Sequence, residues 1–480
     1  MLQAGVNRGR GIRRAACFAA FVVAGAVGYG AIAFDRISAD SLRTNVTWLA
    51  ADQREGRMTP SAGLEASADY LAERFQQAGL APGGQDGTYF QAAEFAQVTP
   101  QLGDFQLTLE GKTRRASVGA RAVTVHSLAG IDYQREPVVR LPNRVEVGSM
   151  PDITGKVVAA AEEYASPAGL HSLETRKPVL ILLLMDGERP KEELPFLMEA
   201  NPSIPPVIWI YSRAASGLLS REDGSLTLHV AAPARRDVAL QNVAGILRGS
   251  DPAVRDQFVI LSAHYDHLGM KPPGPGNRIF HGANDNATGD ASLIEIAKAL
   301  AVEPHPRRSV LFLALFGEEE GLLGSGYYVR HPLIPLARTV ADINLEQLGR
   351  TDSSDGPEVA RFCFSGPSYS NLPQMMTAAA TAEGTTVYRK ATADDYFDRS
   401  DNYSFALAGV VAHTIAVAFE FPDYHAVSDE AGKIDYGNLA KVDRGIAAGA
   451  AAVANAAEAP KWSDARAARM YREAGGLRQN

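Results

Sequence analysis

The chain has 480 residues, enough to bury one large core and to form two domains. Its formal net charge of −8 is spread along the sequence, and no Lys/Arg-rich stretch or basic face offers a nucleic-acid surface. The two cysteines, Cys17 and Cys363, exclude a disulfide framework and a cysteine-held metal, so any metal must rest on His, Asp and Glu.

Residues 1–14 carry Arg8, Arg10, Arg13 and Arg14 without an acid, and an uncharged run from Ala15 to Phe34 ends at Asp35. The pattern predicts a signal peptide or an N-terminal membrane anchor over 1–34, with small residues for cleavage at Ala31-Ile32-Ala33. In both cases the arginines stay inside and the rest of the chain is exported, to the periplasm or beyond. No other segment calls for a membrane. Residues 61–80 set Leu64, Ala68, Leu71, Phe75 and Leu80 at helical spacing, with Gly79 near the stop. From 105 to 236 the texture changes to short β-rich runs, GKVVAAA, PVLILLLMD and PPVIWIY, separated by Gly and Pro. This predicts a β-rich domain inserted between two parts of a larger one, 35–104 and 237–460.

From about 237 the pattern is strand–helix–strand. QFVILSAH (257–264), SVLFLALF (309–316) and TVADINL (339–345) read as buried strands, and 288–302 and 438–457 as helices. The alternation predicts an α/β fold with a central, mostly parallel mixed sheet flanked by helices. Residues 461–480 are polar and read as a tail or terminal helix.

In open α/β sheets, ligands bind at the carboxyl ends of the strands. Here successive strands run into metal-type side chains: His264-Tyr265-Asp266, then Glu318-Glu319, then Glu346, with Asp285 between the first two in the loop HGANDNATG. One carboxylate at a strand end is ordinarily a helix cap or a solvated loop residue; an ordered set at successive ends points to a site.

AHYDHLG, GANDNATG, FGEEEGLLGS, INLEQLG and the late DYH (423–425) stand in the order found in co-catalytic zinc aminopeptidases, and residues 237–457 resemble that family. It includes bacterial leucyl aminopeptidases and the glutamate-carboxypeptidase and transferrin-receptor relatives. The inserted region resembles a protease-associated domain through GKVVAAA and PPVIWIYSRAASGLL. The resemblance implies a zinc exopeptidase fold with two Zn²⁺ per chain. His264 and Glu346 would bind one ion, Glu319 and His425 the other, and Asp285 would bridge them. It also makes Glu318 the general base, Asp266 the residue that orients His264, and Tyr424 the donor to the oxyanion. The family more often has Asp where Glu346 stands, and the extra methylene bears on metal spacing or on the substrate amine. Ser400-Asp401-Asn402 departs from the family's Ser-Asp-His, and no role is assigned to it.

Among the remaining residues, His267 and His281 are expected as loop or rim residues, His413 in the core, Tyr327 and Tyr328 in packing, and Asp429 behind His425. The absence of G-x-S-x-G and of His-Glu-x-x-His excludes an α/β-hydrolase elbow and a thermolysin-like helix. The implied activity is removal of N-terminal residues from peptides. Two alternatives are a one-zinc glutaminyl cyclase, against which the intact Gly321-Leu322-Leu323-Gly324-Ser325 speaks, and a receptor-like binding module that has lost its ligands. Nothing in the sequence gives the oligomeric state or the side-chain preference.

Overall fold

The computed structural model describes residues 34–142, 150–191, 195–201, 203–219, 224–353 and 356–478. Apart from Phe34, the expected signal or anchor segment lies outside the described residues. Among those residues no helix is long and apolar enough to cross a membrane.

Serines start the first two helices. Ser38 and Ser61 accept hydrogen bonds from the N–H groups of Ser41 and Leu64, which caps α1 (Ala39–Leu49) and α2 (Ala62–Gln77). The predicted stripe of α2 is buried, Leu64, Ala68, Leu71 and Phe75 included. There follow β1 (Phe90–Glu110), β2 (Arg115–Val118), β3 (Val123–His126), β4 (Ile131–Arg140), β5 (Val157–Ala161), α3 (Pro167–Glu174), β6 (Leu180–Leu184), β7 (Phe196–Glu199), β8 (Val207–Ile210) and β9 (Gly224–Leu247). The chain continues through β10 (Phe258–His264), α4 (Thr288–Leu300), β11 (Ser309–Leu315), α5 (Leu323–Arg330), β12 (Thr339–Glu346), β13 (Arg361–Phe364), α6 (Leu372–Ala382), β14 (Thr386–Val387), α7 (Asn402–Leu407), β15 (Ala412–Ala416), α8 (Tyr436–Asn455) and α9 (Arg469–Arg478).

The main sheet has the order β14-β13-β15-β12-β10-β11-β9-β4-β5-β6-β8-β3. One block, β11-β10-β12-β15, is parallel, and so is a second, β4-β5-β6-β8. The long strand β9 joins them by pairing antiparallel with β11 at one end and β4 at the other, while β1 runs antiparallel along most of it.

Strands β10, β11 and β15 are buried at every residue, which is why β10 and β11 read as apolar runs rather than alternating ones. One face is covered by α1, α2, α4 and α8, with Phe75 and Phe312 fully buried between the layers. The opposite face packs against Tyr328, Phe405 and Tyr471. Helix α4 has only Lys298 out of the core, because it is covered by both the sheet and neighbouring helices. Parallel register then decides where function can lie. His264 ends β10 opposite Leu315 of β11, and Glu346 ends β12 opposite Ala416 of β15, so four strands open onto one edge.

Candidate metal centre

At that edge Asp285 lies between two imidazoles. Its Oδ1 is 3.4 Å from His264 Nε2 and its Oδ2 is 3.3 Å from His425 Nε2. Each imidazole faces a second carboxylate: Glu346 Oε1 stands 3.1 Å from His264 Nε2, and Glu319 Oε2 stands 3.3 Å from His425 Nε2. Ligand atoms about 2.0–2.1 Å from one tetrahedral zinc are about 3.3 Å from each other. The donors therefore suit two ions, one on His264, Asp285 and Glu346, the other on His425, Asp285 and Glu319. The carboxylate of Glu318 closes on the first set, since donor atoms of His264, Glu318 and Glu346 lie within 4.8 Å of one another.

Backbone hydrogen bonds lock the loops that carry these groups. Asp266 accepts from the N–H of Glu318 at 3.1 Å and of Glu319 at 3.3 Å, and its carboxylate lies 3.6 Å from His264 Nδ1. It thus ties the Glu-Glu turn to the end of β10, and this backbone grip is shorter than its approach to the ring. Across the site, Asn284 Oδ1 accepts from Gly349 N–H, Asn286 bonds both Leu345 C=O and Gln347 N–H, and Thr288 Oγ1 accepts from Leu348 N–H. Residues 284–288 are thereby laced to the segment that carries Glu346. Asp429 receives the N–H groups of Asn284 and Asp285 at 3.0–3.1 Å. It props up the Asp285 loop rather than His425, the partner expected from sequence. Gly282 starts that loop with φ +57°, and a Cβ there would lie 2.3 Å from Asp285 O and 2.6 Å from the His267 ring. Beneath the loops, the fully buried Arg57 donates to the carbonyls of Leu49, Tyr265, His281 and Gly282 at 2.8–2.9 Å.

Residues 242–450 match the model of peptidase family M28. That span holds all five candidate metal ligands, and over it the chain is similar to the family. A probable lipoprotein aminopeptidase of Mycobacterium tuberculosis, LpqL, is 25% identical over 397 residues, which cover 78% of this chain and 73% of that protein. Aminopeptidase YwaD of Bacillus subtilis is 27% identical over 222 residues, covering 46% of this chain and 43% of YwaD. Among solved structures, an aminopeptidase from Aneurinibacillus sp. strain AM-1 superposes with a TM-score of 0.49 at 17% identity, over 89% of this chain and 95% of that one.

Electrostatically, the centre is an acid-rich pocket. Burial lifts Glu318 well above the usual carboxylate range; His264 opposes the rise, and Glu346 and Glu319 add to it. Burial also raises Asp401, to about 7. For Asp285 and Glu319 burial pushes upward as well, but contacts with the histidines outweigh it and hold both low. Hydrogen bonds to Asp285 and Glu319 hold His425 protonated up to about 10. Without metal the cluster thus takes up protons, and a bound cation would displace them.

A pH dependence follows for the chelator-stripped protein. The folded value of His425, about 10, exceeds its reference value of 6.5, so its stabilisation is full below 6.5 and is lost as pH rises through 10. Asp401 shifts from 3.8 to about 7, so the penalty of ionising it in place enters between those values. Both effects have one sign. The melting temperature of the stripped protein should fall steadily from pH 5 to pH 10, and added zinc should flatten the profile; a stripped protein that melts later at pH 9 than at pH 6 would contradict the assignment.

The structure brings together all eight residues singled out from sequence: His264, Asp266, Asp285, Glu318, Glu319, Glu346, Tyr424 and His425. The Tyr424 ring stacks on that of His425 at 3.9 Å, and the residue is 46% exposed and lines the cavity beside the centre. Burial and the carboxylates around it raise its pKa and keep it a donor. His267 departs from expectation. Instead of standing on a rim it is buried, with Nδ1 2.7 Å from Glu319 Oε1, and donor atoms of His267, Asp285 and Glu319 lie within 4.8 Å of one another, so it borders the second metal position. Its spacing of three from His264 was the available signal. His281 faces Asp52 at 2.9 Å, outside the centre. His413 is a core histidine held between Ser370 Oγ and Ser365 C=O. Arg57 left no trace in the sequence reading, because an arginine in a polar turn looks solvated.

Proposed function

We propose that this chain is an exported di-zinc aminopeptidase that hydrolyses the first peptide bond of peptides with free N-termini. The observation that carries the reading is the shared carboxylate of Asp285, with one imidazole and one further carboxylate on each side of it. Bound at the two positions, Zn²⁺ would polarise the scissile carbonyl and lower the pKa of water.

Glu318 takes a proton from the attacking water at its carboxylate and delivers it to the nitrogen of the leaving amine; a carboxyl raised by burial suits that exchange. The O–H of Tyr424 donates to the carbonyl oxygen as negative charge grows there. Asp266 keeps Glu318 and Glu319 in register with His264 through their backbone N–H groups. A cavity of 290 Å³ adjoins the centre, lined by Asp285, Glu318, Glu346 and Glu420 with Tyr396 and Phe419. Arg399 lines it too, and Glu420, a lining carboxylate that is neither a candidate ligand nor the base, would pair with an α-ammonium group, which supports aminopeptidase action. Export is supported by the arginine-led apolar N-terminus and by the lipoprotein named among the relatives. Residues 105–236 form the inserted protease-associated-like domain in this reading.

Matched peptides with free and acetylated N-termini test the proposal, assayed with and without chelator. Cleavage confined to the free series, abolished by chelator and restored by two equivalents of zinc, is the expected result. Equal cleavage of acetylated peptides would reject the aminopeptidase reading, and full activity at one zinc per chain would reject the two-metal centre.

A further inference from the structure

A second, larger cavity of 620 Å³ meets the first at the centre, and Glu318, Arg399 and Tyr424 line both. It extends away from the metal positions to helix α3, where Pro167 and Leu170 form one wall. Leu322, Val329 and Leu407 form apolar surface of the same cavity. Helix α3 belongs to the β-rich region, yet it is fixed against the rest of the chain. Ala168 packs on the apolar cluster that Val329 and Leu407 also join. The start of the helix is set by Ser166, which accepts from Gly169 N–H at 3.2 Å, and by Gly169, whose absent Cβ would lie 2.6 Å from the Tyr164 backbone. From β7, Glu199 holds Arg330 at 2.6 Å and His331 at 2.7 Å, so the end of α5 is latched to the same region. This latch engages the guanidinium at the cavity rim, and burial disfavours charge on the neighbouring Glu174 and His171. Leu170, Leu322, Val329 and Leu407 thus give the cavity an apolar wall, while Asp398, Arg399 and Ser404 supply polar lining beside it.

The base and the oxyanion donor mark where the scissile bond lies, so a substrate must place its first residue on one side of Glu318 and Tyr424 and the continuing chain on the other. The smaller cavity, with Glu420 in its lining, suits the terminal residue with its amine, and the larger one suits the chain that leaves. We propose that the larger cavity binds the second residue of the substrate and selects an apolar side chain there, with Leu170 of α3 as the specificity-determining residue. This rests on the aminopeptidase reading given above.

The test uses the full zinc-loaded chain and tripeptides with a constant first and third residue and Leu, Phe, Lys or Asp second. In the wild type, kcat/KM for Leu or Phe should exceed that for Lys or Asp by about tenfold or more, the discrimination typical of an apolar pocket. In Leu170→Glu the Lys/Leu ratio should rise by about tenfold, a gain that damage to the fold cannot produce, and Leu170→Met should keep the wild-type ranking. Should Leu170→Glu fail to fold, Leu407→Glu on the same cavity carries the same expected gain. A wild type indifferent to the second residue, or a folded glutamate variant that keeps the wild-type ranking, would overturn the inference alone. No cleavage of any free-amino peptide would overturn the aminopeptidase reading and this inference with it.

Discussion

Replacing Asp285 with alanine is expected to empty both metal positions and to lower kcat/KM by about 10⁴-fold or more, roughly 5–6 kcal/mol of transition-state stabilisation. Asp285 alone faces both imidazoles, at 3.4 and 3.3 Å. Without it each position keeps one histidine and one carboxylate, below the three protein ligands of ordinary catalytic zinc sites. A bridging carboxylate also offsets the repulsion between two cations, so its loss weakens the second ion wherever the first stays. Because the loop is held by Asn284, Asn286 and Asp429 through groups that the substitution leaves in place, the fold should persist. Metal content by mass spectrometry and circular dichroism of the same sample separate the outcomes. A folded variant that still binds two zinc ions and turns over would sink the shared-carboxylate assignment.

Glu318→Gln should behave differently: two zinc ions retained, turnover down by about 10²–10⁴-fold. The amide keeps the shape of the side chain, and the backbone N–H of residue 318 still donates to Asp266. What disappears is a group able to accept a proton from water and release it to the amine. The acidic limb of the pH–rate profile, set by ionisation of this carboxyl, should vanish with it. A variant with near-normal rate, or one that loses metal in parallel with activity, would show that residue 318 is not the base.

Strands β10 and β11 were legible because burial on both faces leaves no polar alternation in them, and strand ends then announce the site. Boundaries in the β-rich region were harder to read. The composition shifts at 104/105 and 236/237 fall inside β1 and β9, two strands that run on unbroken across them. The parallel order β4-β5-β6-β8 depends on crossovers, which local sequence does not encode. The polar-looking terminus conceals an anchor, since Tyr471 of α9 is buried among Tyr369, Phe397 and Trp462. His267 and Arg57 share a cause of a different kind. Both are polar residues satisfied only by groups distant along the chain, and periodicity carries no information about such pairings.

The hydrogen bonds of Arg57 have a bearing on how the centre comes into being. A chain made from its N-terminus presents Arg57 early and His425 late, and the guanidinium cannot be satisfied until Tyr265, His281 and Gly282 have folded over it. The residues involved therefore reach from 57 to 425, and a nascent product that stops short of His425 lacks part of the centre. A fragment trimmed to residues 242–450 would hold every candidate ligand and yet lack the residue on which their loops rest. In a hydrolase that acts on peptides, such late completion keeps the nascent chain inert until His425 has been added and folded into place.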